Sequence, residues 1–168
     1  MQVKPSPLGF NPDLPPLETA NRAKEEAKVA YRGVVFEGAV ERRFLYATLL
    51  STDLLPFGHL DYRLVVLPIE LEGDHYRLIS SSEAHQRGFL HLARWLERAE
   101  LEWTKRRSAK AERMTSLGWL DYRGKLTRQN PQADYRVIYN TSGTFLTAAV
   151  VEDEPIEFEI DELVKKIL

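Results

Sequence analysis

In the first half of the chain the apolar positions come in short clustered runs, and further on they fall at helical spacing. GVVFEGAV (33–40), RRFLYATLL (42–50), DYRLVVLPIEL (61–71) and HYRLIS (75–80) are rich in β-branched and aromatic residues and are bounded by turn residues. Each predicts a strand, and Gly73-Asp74 predicts the hairpin turn between the last two. The period changes after the cap-like Ser81-Ser82 and the acid Glu83. Apolar residues now fall at Phe89, Leu92, Leu96, Ala99 and Trp103, spacings of 3, 4, 3 and 4, so one long amphipathic helix is expected with a charged outer face. Gly118 and Gly124 interrupt that pattern and Asn130-Pro131 ends it. YRVIYN (135–140) and FLTAAVVE (145–152) then predict two strands, and IEFEI (156–160) adds one more before a terminal helix, DELVKKIL.

The N-terminus reads differently. Residues 1–16 hold five of the nine prolines, which favours an extended arm. Residues 18–32 alternate acids and bases with little apolar face, the pattern of a short solvated helix. The expected architecture is an arm and short helix over 1–32, followed by one α+β domain over 33–168. That domain should have a mostly antiparallel sheet, one long amphipathic helix and a C-terminal helix.

Composition narrows the setting. With 168 residues and 43% hydrophobic content, the chain can bury one good core and is short for two. It has no cysteine, so disulfide and thiolate chemistry are excluded and only His and carboxylates remain as metal ligands. The longest apolar run, LVVLPI (64–69), is far below the roughly 20 residues of a membrane span, and no signal-peptide pattern opens the chain. A soluble cytoplasmic protein without a membrane partner is expected. Charge is distributed unevenly. Lys105, Arg106, Arg107, Lys110, Arg113, Arg123, Lys125 and Arg128 face only Glu112 and Asp121, a local +6, so the remainder of a chain of formal charge −2 carries −8. Attraction to a polyanion requires that kind of segregation.

The stretch GKLTRQNPQADYRVIYNTSGTFLTAAVV (124–151) resembles the non-catalytic, target-recognition part of the large N6-adenine DNA methyltransferases of the type II G restriction-modification and phage-exclusion class. In that family a segment similar to FLYATLLSTDLLPFGHLDYRLVVLPI precedes a helix similar to GFLHLARWLERAELEWTKRR, then a KLTxQNP element, a strand and a YNxSGT turn. The same elements stand here in the same order over 33–151. The resemblance implies a DNA-recognition domain or subunit working with a methyltransferase catalytic domain that binds S-adenosylmethionine. The family's catalytic half uses a glycine-rich loop and an Asn/Asp-Pro-Pro-Tyr/Phe tetrapeptide around the flipped adenine. Asn11-Pro12-Asp13 and Asn130-Pro131-Gln132 lack the second proline and the aromatic, so this chain by itself is expected to be non-catalytic and to hold no cofactor.

Candidate DNA contacts follow from side-chain chemistry. Lys105, Arg106, Lys110 and Arg113 would span about two and a half helical turns, and spacings of 4 and 3 put Arg106, Lys110 and Arg113 on one face suited to phosphates. Lys125 extends the basic run. Arg128 suits guanine O6/N7, while Gln129, Asn130 and Asn140 suit adenine N6/N7; Ser142 and Thr144 offer hydroxyls to phosphate. Plainer roles compete. The cations can pair with Glu100, Glu102 and Glu112, and for Asn140 a turn is favoured over base contact. Trp95, Trp103 and Trp119 can stack unpaired bases, but core packing is the better reading for Trp103 on its apolar stripe. The histidines lack metal-pair spacing. Two rival functions remain: a scaffold domain of the same enzyme class that never meets DNA, and an unrelated small enzyme using the strand-end carboxylates Asp61, Glu70 and Glu72.

Overall fold

A computed structural model describes residues 1–7, 11–140, 146–152, 154, 156–158 and 162–166. Along the chain run β1 (Val3–Pro5), β2 (Pro16–Thr19), α1 (Asn21–Glu25), β3 (Glu37–Ala39), β4 (Leu45–Thr48), β5 (Leu54–Leu55), β6 (Gly58–His59), β7 (Arg63–Val66), β8 (Ile69–Glu72) and β9 (His75–Leu78). Then follow α2 (Ser81–Gln86), α3 (Leu90–Arg106), α4 (Ser116–Leu120), β10 (Tyr135–Tyr139), β11 (Ala148–Glu152), β12 (Ile156–Phe158) and β13 (Glu162–Lys166). The class is α+β. Among the described residues all strand pairs are antiparallel except β13 with β4.

The organising sheet has the order β12-β13-β4-β7, and β4 and β7 are buried on both faces. Leu45, Ala47, Leu64 and Val66 join Phe36, Val40, Phe44, Leu92, Trp95 and Leu96 on one side; Tyr46 and Val65 join Leu67, Ile69, Tyr76 and Leu126 on the other. A strand covered on both faces can be apolar without alternating, which accounts for the continuous run at 64–67. Each Val, Leu, Ile or Phe among them contributes about 1.5–3 kcal/mol when fully buried. Leu126 docks the segment after α4 onto the second face.

The long helix expected from residue 83 onward is two helices. Ser80 Oγ accepts from the Glu83 amide at 3.2 Å and caps α2, and Gly88 then takes φ +81 and turns the chain. Phe89, edge-on to Phe44 with ring centroids 5.1 Å apart, opens α3 without a side-chain cap of its own. Glu41 supplies one from a distance, accepting the His91 and Leu92 amides at 3.0 and 2.8 Å, so an anion satisfies the helix N-terminus.

The arm and the two flanking helices also differ from expectation. Residues 16–19, which span the end of the expected arm and the start of the expected helix, form the middle strand of β1-β2-β3, and α1 is only Asn21–Glu25. Val3 and Leu17 lie in the same core as α3. The terminal segment expected to be helical is β13, antiparallel to β12 and parallel to β4, with Lys165 opposite Tyr46. So short a helix has little local stability of its own, and the open edge of β4 offers its backbone a ladder instead.

One charged pair ties these pieces together. Arg63 donates Nε and Nη2 to Asp53 Oδ2 and Oδ1 at 2.7 Å each, Nη1 to Gln2 Oε1 at 2.9 Å and to Glu26 Oε2 at 2.6 Å, and Nη2 to Thr52 Oγ1 at 3.2 Å. Arg22 also reaches Asp53 at 2.8 Å. Both members of the central pair are buried. Burial pushes the Asp53 carboxyl up, but Arg63 and the Leu50 amide outweigh it and hold it below the usual range; Glu26 is likewise held low, first by Arg63 and then by Arg22.

Removing one partner of a buried pair leaves the other uncompensated, so Arg63→Met is expected to cost about 3–5 kcal/mol in urea unfolding, and Asp53→Leu with Arg63→Met less than either single change. Because the carboxyl values are depressed on folding, their stabilisation is complete above the unfolded values of about 3.9–4.3 and disappears as pH falls through the lower folded values. The melting temperature should therefore hold steady down to about pH 5 and drop steeply below about pH 4. The Asp53→Leu/Arg63→Met variant should show a shallower acid limb.

Candidate nucleic-acid interface

The basic segment is not one helix. α3 ends at Arg106, Arg107 turns extended with ψ 146, and a single 3-10 turn covers Ala109–Ala111 before α4. The cause lies in the tertiary fold. Trp103 Nε1 and Arg107 Nη1 both donate to the Met114 carbonyl, at 2.8 and 3.1 Å, and Glu100 Oε2 accepts the Ser116 amide at 2.7 Å. The chain is drawn back against the end of α3, so Arg106, Lys110 and Arg113 do not share a helical face as their spacing predicts. Arg106 bonds Glu102, and Lys105 lies 3.3 Å from the same carboxylate. Lys110, Arg113, Lys125 and Arg128 are exposed and make no ion pair among the described residues.

Asp121 builds the loop that follows. Its Oδ1 accepts the Leu126 and Thr127 amides at 2.8 and 3.0 Å, and its Oδ2 accepts the Thr127 hydroxyl at 2.7 Å. Burial raises this carboxyl, but those bonds, with Arg128 nearby, hold it below the ordinary range. Gly124, at φ +69, lies so close to Arg128 that a Cβ there would stand 3.0 Å from its Nε. With Leu126 anchored under the sheet, the Arg128 side chain lies back along Gly124, while Gln129 and Asn130 turn to the β10 side.

Gln129 and Asn130 line a cleft of about 390 Å³ with Ala133, Arg136, Val137, Ile138 and Tyr139 of the β10 side. Their polar groups are partly engaged. Asn130 Oδ1 accepts the Gln132 amide at 2.9 Å, its carbonyl accepts from Arg136 at 3.1 Å, and Gln129 Nε2 lies 3.5 Å from the Lys125 carbonyl. Asn140 sits elsewhere. Its amide donates to the Thr147 carbonyl at 3.1 Å and its Oδ1 accepts the Thr147 amide at 3.0 Å, closing the β10–β11 hairpin. Ser142 and Thr144 lie outside the described residues. The fold thus brings Gln129 and Asn130 to one cleft, leaves Arg128 outside its lining with the side chain along Gly124, exposes Lys110, Arg113 and Lys125 in the preceding segment, and separates Lys105 and Arg106 into ion pairs.

Asp121 and Glu41 are positioning residues that sequence reasoning missed, since each bonds amides with no recognisable motif spacing. The strand-end carboxylate Glu70 is committed elsewhere. Arg87 donates to it at 2.6 and 2.8 Å, Arg77 also bonds it, and these two arginines hold it ionised below the usual range against the effect of burial. With Glu83, also bound by Arg77 and Arg87, it staples the β8–β9 hairpin to α2. A carboxylate held down by two guanidinium groups is a poor proton donor at neutral pH.

No family model matches the chain, no curated protein matches its sequence, and no solved structure matches its fold. None of the described helices is long and apolar enough to cross a membrane.

Asp121→Ala removes the acceptor of two amides and a hydroxyl. It is expected to lower stability by roughly 1–3 kcal/mol and to speed hydrogen exchange at the Leu126 and Thr127 amides ahead of β4 and β7. Gly124→Ala should cost about 1–2 kcal/mol through its left-handed backbone. Unchanged exchange at Leu126 in Asp121→Ala would show that the loop is held by other contacts.

Proposed function

We propose that this chain is a DNA-recognition domain or subunit of a restriction-modification type N6-adenine DNA methyltransferase, non-catalytic alone and dependent on a partner catalytic domain for S-adenosylmethionine. The observation that supports it most is the Asp121-anchored loop, which brings Gln129 and Asn130 to a cleft beside an exposed Arg128 in the same loop, while exposed Lys110, Arg113 and Lys125 remain unneutralised by carboxylates. Guanidinium and amide groups read base edges; solvated cations hold phosphates and fix register. The order of sequence elements that resembles the methyltransferase family gives the same direction from an independent side.

A specific feature favours a second reading, a scaffold domain packed against the catalytic half. The outward face of the β10–β11 hairpin exposes Tyr135, Val137, Tyr139 and Val150, an apolar strip that a protein surface covers better than a duplex does.

Salt dependence separates the two. The recognition reading expects duplex DNA binding in the range of about 10⁻⁴ to 10⁻⁶ M at physiological salt, with Lys110→Ala/Arg113→Ala/Lys125→Ala weakening it and flattening the slope of log affinity against log salt. Absence of salt-dependent binding would favour the scaffold. With the catalytic partner present, changing Arg128, Gln129 and Asn130 should alter which sequences are methylated, at about 1–3 kcal/mol for each lost bidentate contact. Lys110→Ala should weaken every sequence alike.

A further inference from the structure

Three aromatic rings stand in a row at the end of the basic segment, outside both hydrophobic cores. Trp103 and Trp119 have centroids 5.4 Å apart at 31°, and Trp119 and Tyr122 are 5.7 Å apart at 38°. Trp103 is fixed by its hydrogen bond to Met114 and backs the row. Trp119 and Tyr122 remain 48% and 42% exposed, with their ring planes inclined by no more than 38° from one neighbour to the next.

Cations outnumber carboxylates in the segment that carries the row. The Arg123 guanidinium lies 5.2 Å from the Tyr122 ring centroid, Arg107 shares the Met114 carbonyl with Trp103, and Lys110, Arg113 and Lys125 are exposed. The acids of this region are occupied: Glu100 by the Ser116 amide, Glu102 by Lys105 and Arg106, Asp121 by Leu126 and Thr127. Only Glu112 has no bonded partner among the described residues. Arg123 also occupies a left-handed backbone, φ 61, which glycine adopts more easily. A protein-docking patch is depleted of charge at its centre, whereas aromatic planes flanked by cations suit nucleobases strung on phosphates.

We propose that Trp119 and Tyr122, backed by Trp103, form a stacking site for unpaired nucleobases of a single-stranded nucleic acid, with Arg123 and its neighbouring cations following the phosphates. The site shares no residue with the cleft lined by Gln129 and Asn130 and does not depend on duplex reading.

The test uses the full chain and fluorescence polarisation with labelled oligo-dT, an oligo-rU of equal length, an abasic oligonucleotide of the same backbone and a duplex. Oligo-dT or oligo-rU should bind and quench tryptophan emission, and their ratio reports which sugar the site prefers. The abasic strand should bind at least about ten-fold more weakly, as should Trp119→Ala, while Trp119→Phe keeps most of the affinity. Arg123→Gly should weaken binding with an equal or higher melting temperature, because glycine relaxes the left-handed backbone. An abasic strand that binds as tightly as oligo-dT overturns the proposal, as does unchanged affinity in a folded Trp119→Ala. If that variant fails to fold, the abasic comparison on the parent protein still decides. Duplex binding without single-strand binding overturns this site alone; single-strand binding without duplex binding overturns the duplex reading alone.

Discussion

The buried Arg63–Asp53 pair is the constraint on which the N-terminal half of the molecule depends. Arg63 lies on β7 and Asp53 precedes β5, yet the guanidinium also holds Gln2 beside β1 and Glu26 just past α1. Five planar donors in a fixed fork satisfy acceptors from three other chain segments at once, which an ammonium could not do. Desolvating two charges is costly, so such a pair contributes more to placing the segments than to net stability. It fixes where the proline-rich arm crosses the sheet, and with it where Val3 and Leu17 enter the core.

The sheet buried on both faces transmits that order to the candidate interface. β4 and β7 present one set of side chains to α3 and the other to the β8–β9 hairpin and Leu126. Leu126 sits five residues after Asp121 and two before Arg128, so a single apolar anchor and a single carboxylate set the loop from below and from within. Polar groups meant to meet a ligand need such support, because a loop held only by its ends leaves their direction to chance.

Two surfaces then emerge from one basic segment. The cleft beside β10 collects Gln129 and Asn130 with Arg136, while the fold-back after α3 collects Trp103, Trp119 and Tyr122 with the left-handed Arg123. Both depend on the break at Arg107. Had α3 continued, its cations would have formed one stripe and the rings would have been carried away from one another.

Much of the fold is legible in the sequence where the physics is local. Clustered β-branched runs mark β4, β9 and β10, and the run read as one strand over 61–71 holds both β7 and β8; Gly73-Asp74 marks the hairpin of β8 with β9; the helical spacing marks the α3 stripe from Phe89 to Ala99, whereas Trp103 falls outside both cores. Segregated charge and the candidate loop at 128–130 are also visible, since composition and turn residues require no partner to be recognised. What the sequence could not decide involves groups distant along the chain. Glu41 starts α3 by capping it across fifty residues; the Met114 carbonyl and the Ser116 amide end the helical reading of the basic run; the free edge of β4 makes a strand of the terminal segment expected to be helical. In each case a buried or unpaired backbone group had to find a partner, and only the tertiary arrangement determined which partner lay within reach.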